Sequence, residues 1–292
     1  MRSDLPIGKV QLVGAGPGAA DLLTVRALRA IEGAQALLYD ALISDEVLAL
    51  APAACLKIRT GKRAGKASID QATIHFLMLR LARQGLKVVR LKGGDPSIFG
   101  RVGEEVDFLR GHGVPVEIVP GVTAACAAAA QFGLPLTHRG EARRLMFATV
   151  TVTNGQVVKG GWAAAADKET TLALYMGRDQ TTAIANHLMA EGRAGSTPVM
   201  AVEYAGHARA RSLCASLAGM AEAVDQAGFS GPVVLLIGSV AARGYGAAQI
   251  GPLSLPDHIG SDGFGSGNCG PQGSGLRIEQ GAGPGLRHGA GG

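Results

Sequence analysis

Closely spaced cysteines and aromatic residues are both scarce in this chain, and each scarcity excludes a class of protein. The 292 residues include four cysteines, and none of them forms a Cys-x-x-Cys pair. Zinc sites and disulfide frameworks need closely or regularly spaced cysteines, so we expect free thiols and no metal site. Aromatic residues make up only 4% of the sequence. This composition favours an α/β protein rich in alanine, valine and leucine over an all-β protein.

Long apolar runs and concentrated basic stretches are also missing. No run approaches the roughly 20 apolar residues that span a bilayer, and residues 1–6 lack an apolar signal region. We therefore expect a cytoplasmic protein that has no membrane partner. The formal net charge is +5, but without a lysine-rich run we expect no nucleic-acid partner. Basic residues near predicted loops suit an anionic small substrate instead. They are Arg59, Lys62, Arg63, Lys66, Lys92, Arg101, Arg139, Arg143 and Arg144.

Residues 88–105 predict a buried strand, a glycine loop and a helix in that order. In open α/β folds this arrangement places a ligand at the carboxyl edge of a parallel sheet. Gly93 and Gly94 have no Cβ, so a ligand can approach their main chain closely. Asp95 gives the loop a fixed negative charge that suits hydroxyl groups or a cation. A tight turn between strand and helix, with no ligand, is the alternative interpretation.

A second glycine loop, residues 14–18, follows a predicted strand near the start of the chain. Asp21 is expected to cap the next helix, and the following strand, residues 36–39, ends at Asp40. The same order of elements is typical of dinucleotide-binding folds, so a nicotinamide-dependent dehydrogenase is an alternative. Pro17 argues against it, because proline removes a backbone donor that a pyrophosphate would need.

The alternation of short strands and helices predicts two α/β domains, residues 1–137 and 138–243. Within the second domain, residues 213–227 are expected to be mainly helical. From residue 241 onward the apolar pattern gives way to Gly, Pro, Ser and Gln. Residues 244–292 are therefore expected to form a disordered, glycine-rich tail.

Short motifs that follow one another over residues 8–240 carry a resemblance to a known family. They are Val13-Gly14-Ala15-Gly16-Pro17-Gly18, Tyr39-Asp40, Gly61-Lys62-Arg63, Arg90-Leu91-Lys92-Gly93-Gly94-Asp95-Pro96, Ile98-Phe99-Gly100-Arg101, Pro120-Gly121-Val122-Thr123-Ala124, Pro135-Leu136-Thr137-His138-Arg139 and Tyr175-Met176-Gly177. Together they resemble the tetrapyrrole methylase family. The resemblance implies two α/β domains with mostly parallel sheets, a cleft between them that binds S-adenosyl-L-methionine, and a homodimer. The residues implied to line the cofactor site are Pro17, Gly93, Gly94, Asp95, Ile98, Thr123, Ala124, Met176 and Ala205.

The resemblance also implies a reaction. Two methyl groups would be transferred to ring carbons of uroporphyrinogen III, an anionic tetrapyrrole, to give precorrin-2 for sirohaem or corrinoid synthesis. Asp40 is implied as the proton acceptor and Lys62 as the proton donor. Taken by themselves, Asp40 could equally be a turn residue at a strand end, Lys62 a carboxylate clamp and Met176 a core methionine.

Two other functions stay open from the sequence. One is a later precorrin methyltransferase, and the other is a non-catalytic protein that binds S-adenosyl-L-methionine or a tetrapyrrole. The chain departs from the family's pattern at Ala19-Ala20, Ser97, Val102, Ala148-Thr149-Val150, Ala210 and Ser239. None of these departures removes a residue that we assign to the chemistry.

Overall fold

Short apolar runs in the first half of the chain pair into one parallel sheet. The computed structural model describes residues 6–61, 69–150, 152–153, 156–157 and 163–244. The strands of the first sheet are β1 (Val10–Gly14), β2 (Ala36–Tyr39), β3 (Leu56–Arg59), β4 (Val88–Lys92) and β5 (Val116–Val119). Their order is β3-β2-β4-β1-β5, and every neighbouring pair is parallel. The carboxyl ends of all five strands therefore share one edge, where the loops that follow them meet.

Polar side chains begin several of the helices in this half. The helices are α1 (Val25–Glu32), α2 (Asp45–Ala49), α3 (Gln71–Arg83), α4 (Val102–Gly111) and α5 (Ala124–Gln131). Side-chain oxygens of Thr24, Ser44 and Asp70 accept a backbone N–H in the first turns of α1, α2 and α3. The expectation that Asp21 caps α1 is wrong. Asp21 lies in a short 3-10 turn, Ala20–Leu22, and Thr24 caps α1 instead.

The second half forms another five-stranded sheet of different topology. Its elements in chain order are β6 (Arg144–Thr149), the small pair β7 (Val152–Thr153) and β8 (Gln156–Val157), α6 (Ala163–Ala166), β9 (Thr170–Tyr175), α7 (Thr181–Ala190), β10 (Pro198–Glu203), β11 (Arg211–Ser216), α8 (Met220–Gln226) and β12 (Val233–Ile237). The strand order is β11-β10-β12-β9-β6. Strands β6 and β9 are parallel, whereas the other three pairs are antiparallel.

The α/β class is confirmed, and the second sheet differs from expectation in two respects. All pairs in the first sheet are parallel, but the second sheet is mixed because β12 runs against both β9 and β10, and β11 runs against β10. The expected helix over residues 213–227 is also wrong in its first part. Residues 211–216 form the edge strand β11, and the helix begins only at Met220. Backbone pairing with β10 outweighs the helical preference of the alanine and leucine residues there.

Helix α5 links the two sheets. It follows β5 of the first sheet, yet its buried residues Ala125, Ala128 and Ala129 pack with Ala173 and Met200 of the second sheet. Small alanine side chains let the helix lie close to the strands. The first sheet has apolar clusters on both of its faces, as expected for a parallel sheet.

Both sheets belong to one unit of the chain, Met1–Leu253. The domain boundary at residue 137 stays a prediction, and the expected disordered tail, residues 244–292, lies almost wholly outside the described residues. In the part of the chain that the structure describes, no helix has the length and apolar character needed to cross a membrane. The same residues contain no group of three or more His, Cys, Asp or Glu side chains arranged to hold a metal ion.

Candidate functional site

A cavity of about 1260 Å³ opens at the carboxyl edge of the first sheet, where the ends of β9 and β10 and the start of β12 face it. Most of the residues that the resemblance implies lie in its wall. They are Asp40, Pro17, Gly93, Gly94, Asp95, Ile98, Thr123, Ala124, Met176 and Ala205. Lys62, the implied proton donor, lies outside the described residues. The fold therefore brings together segments that are far apart in the chain.

The loop after β4 is held against the loop after β1 by main-chain contacts. The N–H of Gly94 donates to the carbonyl oxygen of Gly16 at 2.7 Å. In return, the N–H of Gly16 donates to the carbonyl oxygen of Gly94 at 3.2 Å. Gly94 has a φ of +68°, which favours glycine. A Cβ on Gly93 would find no atom closer than Leu42 Cβ at 3.9 Å. The main chain at Gly93 therefore borders open space that a ligand can enter.

Asp95 connects two of the loops that line the cavity. Its Oδ1 accepts the N–H of Ser97 at 2.8 Å, and its Oδ2 accepts the N–H of Gly121 at 2.9 Å. We expected Asp95 to accept hydrogen bonds from a ligand. Each carboxylate oxygen has a second acceptor position, so Asp95 can order the loops and still bind a donor.

Tyr175, at the end of β9, holds the segment that begins α5. Its hydroxyl lies 2.6 Å from Thr123 Oγ1 and accepts the N–H of Ala125 at 3.2 Å. Burial raises the pKa of Tyr175 above its ordinary value of 10.0, although these hydrogen bonds oppose the shift. The sequence analysis did not assign a role to Tyr175. The Tyr-Met-Gly motif was the only signal for it.

Several non-glycine residues in the cavity wall have left-handed backbone conformations. Phe99, Arg101, Met176 and Tyr204 have φ values from +53° to +56°, and all of them line the cavity. Such conformations cost free energy and cluster at functional sites. Met176 is 65% exposed, so its interpretation as a core methionine is wrong. Its side chain is available to a ligand.

Asp40, at the carboxyl end of β2, forms an ion pair with a buried arginine. Arg90 Nη2 lies 2.5 Å from Asp40 Oδ1, and Thr60 Oγ1 lies 3.5 Å from the same oxygen. The Asp40 side chain is 34% exposed, whereas that of Arg90 is 4% exposed. Both residues line the cavity, and Asp40 is the more exposed of the two. The interpretation of Asp40 as a simple turn residue does not account for this ion pair.

A second buried ion pair lies beside the first. Lys92 Nζ contacts both carboxylate oxygens of Glu105, at 2.9 and 3.0 Å, and Gln71 Nε2 donates to the same carboxylate at 3.0 Å. Burial lowers the pKa of Lys92 below its ordinary value of 10.5, although Glu105 opposes that shift. The sequence carried one signal for this network. Arg90 and Lys92 are two residues apart in an apolar strand, so their side chains share a face.

Only part of the expected basic set lines the cavity. Arg59, Lys92 and Arg101 do so, together with Arg90 and Arg209, which the expected set did not include. The guanidinium of Arg209 lies 3.8 Å from the centre of the Tyr204 ring.

The expectation is wrong for Arg139, Arg143 and Arg144, which are absent from the cavity wall. Arg143 and Arg144 form ion pairs with Glu169, near the start of β9 and away from the cavity. Lys62, Arg63 and Lys66 lie outside the described residues.

Pro17 is fixed by the loop that follows β10. A Cβ on Gly206 would lie 2.3 Å from Pro17 Cγ, so only glycine fits at position 206. The N–H of Ala19 also donates to the carbonyl oxygen of Gly206 at 2.9 Å.

Burial and the nearby Arg209 guanidinium lower the pKa of His207 below its ordinary value of 6.5. This shift favours the neutral form of His207, which lies in the cavity wall on the loop that carries Ala205.

Comparison with known proteins identifies the family. The model of the Tetrapyrrole (Corrin/Porphyrin) Methylases matches residues 9–221. Uroporphyrinogen-III C-methyltransferase of Paracoccus denitrificans is 41% identical over 257 residues, which are 88% of this chain and 90% of that protein. Siroheme synthase of Xylella fastidiosa is 44% identical over 251 residues, which are 85% of this chain and 52% of that protein, so the chain spans about half its length. Uroporphyrin-III C-methyl transferase from Thermus thermophilus, in complex with S-adenyl homocysteine, has a TM-score of 0.70 at 42% identity and covers 81% of this chain and 100% of that one. The chain therefore belongs to the tetrapyrrole methylase family.

Proposed function

We propose that this protein transfers methyl groups from S-adenosyl-L-methionine to two ring carbons of uroporphyrinogen III and so forms precorrin-2. One observation carries the proposal. A single cavity is lined by Asp40 and by every one of the nine residues that the family resemblance assigns to the cofactor. The Paracoccus relative, which the chain matches over 90% of its length, supports uroporphyrinogen III as the substrate.

The residues in the cavity wall fit S-adenosyl-L-methionine. Open space beside Gly93 allows main-chain groups to contact a polar ligand. The exposed side chain of Met176 and the partly exposed Ile98 offer apolar contact. Thr123 and Ala124 would contribute the main chain at the start of α5, which Tyr175 keeps in place. When bound, the cofactor supplies an electrophilic methyl group on a sulfonium.

The chain itself supplies alignment and proton transfer. Transfer of a methyl group to a pyrrole carbon leaves a positive charge on that pyrrole ring, and loss of one proton neutralises the ring. Asp40 accepts that proton, because its carboxylate faces the cavity from a fixed position. Arg59, Arg101 and Arg209 lie in the same wall and bind carboxylates of the substrate. We assign the donor role to Lys62 by resemblance alone.

The pathways that the protein would serve follow from its product. Precorrin-2 is consumed in sirohaem or corrinoid synthesis. The homodimer and the cytoplasmic location stay predictions. Sedimentation equilibrium of the purified protein tests the dimer, since a single species of monomer mass at micromolar concentration would exclude it.

Turnover is the direct test. The purified protein is incubated anaerobically with uroporphyrinogen III and S-adenosyl-L-methionine, and the oxidised product is analysed by mass. We expect a gain of two methyl groups, which Asp40→Ala abolishes by removing the proton acceptor. Gly94→Trp should abolish cofactor binding, because an indole at this position in the cavity wall would occupy the space of the cofactor, and the φ of +68° strains any residue with a side chain.

Matched substitutions control for general damage. Asp107→Ala removes an exposed carboxylate on α4, and Gly111→Trp adds an indole where no atom lies within 4 Å of the added Cβ. Both should retain turnover. Measurable cofactor binding without methylation of uroporphyrinogen III would overturn the proposal and favour a later precorrin as the substrate, or a binding protein.

A further inference from the structure

Arg90 is a buried cation whose guanidinium is engaged in three directions. Its Nε lies 3.4 Å from Glu105 Oε1, its Nη1 donates to the carbonyl oxygen of Leu91 at 3.0 Å, and its Nη2 donates to Asp40 Oδ1 at 2.5 Å. With 3% of its surface exposed, Arg90 has little area to offer a substrate. Its contacts instead fix its orientation relative to Asp40.

The charges around Arg90 are balanced. Two cations, Arg90 and Lys92, share the face of β4 with two carboxylates, Asp40 and Glu105. Glu105 is held by Lys92 and Gln71, so it cannot move away from Arg90 without leaving buried charges unpaired. Of the four side chains, those of Arg90, Lys92 and Glu105 are at most 6% exposed, and that of Asp40 is 34% exposed. Asp40, Arg90 and Lys92 all border the cavity, and Asp40 is the most exposed of them.

The two oxygens of Asp40 have different surroundings. Arg90 and Thr60 both contact Oδ1. Within the described ranges, which omit residues 62–68, no hydrogen bond or ion pair involves Oδ2. Arg90 and Thr60 therefore fix the carboxylate through Oδ1.

We propose that Arg90 is a positioning residue for the methylation reaction, which holds Asp40 Oδ1 so that Oδ2 is presented to the substrate. This inference rests on the proposed function. Lysine is a poor replacement, because one ammonium group cannot reproduce the planar fork that meets Glu105, Leu91 and Asp40 together. The arginine acts through Asp40 and makes no contact with the reacting atoms.

Kinetics of Arg90 variants test the proposal. A misplaced catalytic group costs up to about 100-fold in rate, so we expect Arg90→Ala to lower kcat by about that factor, with the KM for S-adenosyl-L-methionine changed less than about twofold. Arg90→Lys should retain more activity than Arg90→Ala. Added guanidinium ion should raise the kcat of Arg90→Ala at least several-fold, because it can occupy the space beside Asp40. A merely structural role predicts no such rescue.

Arg193 provides the matched control. It is equally buried, and its guanidinium donates to the carbonyl oxygens of Thr170 and Ile237, at the end of the second sheet opposite the cavity. Arg193→Ala should lose stability, but its folded fraction should keep the wild-type kcat and gain nothing from guanidinium. Should Arg90→Ala fail to fold, Arg90→Lys carries the test. Wild-type kcat in folded Arg90→Lys, or in folded Arg90→Ala without guanidinium, would overturn the inference.

A crystal structure separates this inference from the proposed function. In folded Arg90→Lys or Arg90→Ala with S-adenosyl-L-homocysteine, the Asp40 carboxylate should rotate away from its wild-type orientation. An unchanged orientation would overturn the positioning role. If the wild-type protein fails to methylate uroporphyrinogen III, the proposed function fails, while the orientation of Asp40 still reports on Arg90.

Discussion

At the scale of single residues, Glu105 carries a charge although its side chain has no exposed surface. Lys92 pairs with it at 2.9 Å, and Arg90 contacts it at 3.4 Å in addition to its ion pair with Asp40. Breaking a buried ion pair by removing one partner costs about 3–5 kcal/mol, because the remaining charges stay buried. We therefore expect Glu105→Gln to lower the free energy of unfolding by about that amount, measured by urea denaturation.

The neighbouring glutamate is the control for this prediction. Glu104 pairs with Arg101 on the surface of α4, where solvent screens the charges. Glu104→Gln should change stability little. Adding Lys92→Met to Glu105→Gln should recover part of the loss, since it removes the buried cation that Glu105 paired, whereas Arg90 keeps its ion pair with Asp40. If the double variant is no more stable than Glu105→Gln, the charge explanation is wrong.

Tyr175 gives a second prediction at this scale. Tyr175→Phe removes the hydroxyl that contacts Thr123 Oγ1 and the N–H of Ala125. An unsatisfied buried polar group costs about 1–3 kcal/mol, so we expect a loss of stability in that range. Weaker binding of S-adenosyl-L-homocysteine should accompany it, because the start of α5 lines the cavity. Calorimetric titration measures the affinity.

Variants of Thr123 separate the hydrogen bond from packing. Thr123→Ser keeps the hydroxyl and should bind S-adenosyl-L-homocysteine almost as tightly as the wild type. Thr123→Val keeps the shape but loses the hydroxyl, and should resemble Tyr175→Phe. Equal affinities for the two threonine variants would contradict a role for this contact.

At the scale of secondary-structure elements, local patterns predicted the loops better than the pairing of strands. Glycine, proline and aspartate fix the turns after β1 and β4 through their own conformational preferences, so residues 14–18 and 93–96 were located correctly. The direction of β10 and the strand β11 depend on partners distant in sequence. Residues 213–227 favour a helix locally, and only the neighbouring strand makes their first part extended.

The same distinction applies to the candidate site. The cofactor residues and Asp40, which the family resemblance implies, occur in or near short, recognisable stretches, and all of them line the cavity. Arg90, Glu105 and Tyr175 act through contacts across elements, at separations of up to 52 residues. No local pattern reports such contacts. Their importance became visible only when distances and burial were known.

Glu203, at the end of β10, connects this strand to β11 and to the segment before β12, and its contacts lead to a prediction about pH. Its carboxylate accepts the N–H groups of Ser230 and Gly231 and pairs with Arg211 of β11. Burial tends to raise the pKa of Glu203, but these donors outweigh it and hold the pKa below its ordinary value of 4.5. A carboxyl group with a lowered pKa in the folded state stabilises the fold above its unfolded pKa. That contribution is lost as the pH falls through the folded pKa.

Glu203→Gln should therefore lower stability at neutral pH and flatten its dependence on pH below about pH 5. Thermal unfolding between neutral and acidic pH measures both effects. Glu222→Gln, which changes an exposed carboxylate on α8, is the control. Parallel pH profiles for wild type and Glu203→Gln would show that Glu203 is not responsible.

At the scale of the whole molecule, the cavity depends on both sheets. Residues of the first sheet's loops supply Asp40, Gly93 and Gly94, whereas Met176 and Ala205 follow strands of the second sheet. Helix α5 and the Tyr175 hydroxyl connect the two parts close to the cavity. A ligand that fills the cavity should therefore stabilise both parts together.

Hydrogen exchange with and without S-adenosyl-L-homocysteine tests this coupling. At about 100 times the dissociation constant, a ligand that binds only the folded protein adds about 2.7 kcal/mol of stability. We expect slower exchange in residues 93–101 of the first part and also in residues 175–178 and 204–209 of the second. Gly94→Trp should show neither effect, whereas Gly111→Trp should behave as wild type. Protection confined to one part would mean that the ligand does not bridge the sheets, and the cofactor residues assigned to the other part would have to be withdrawn.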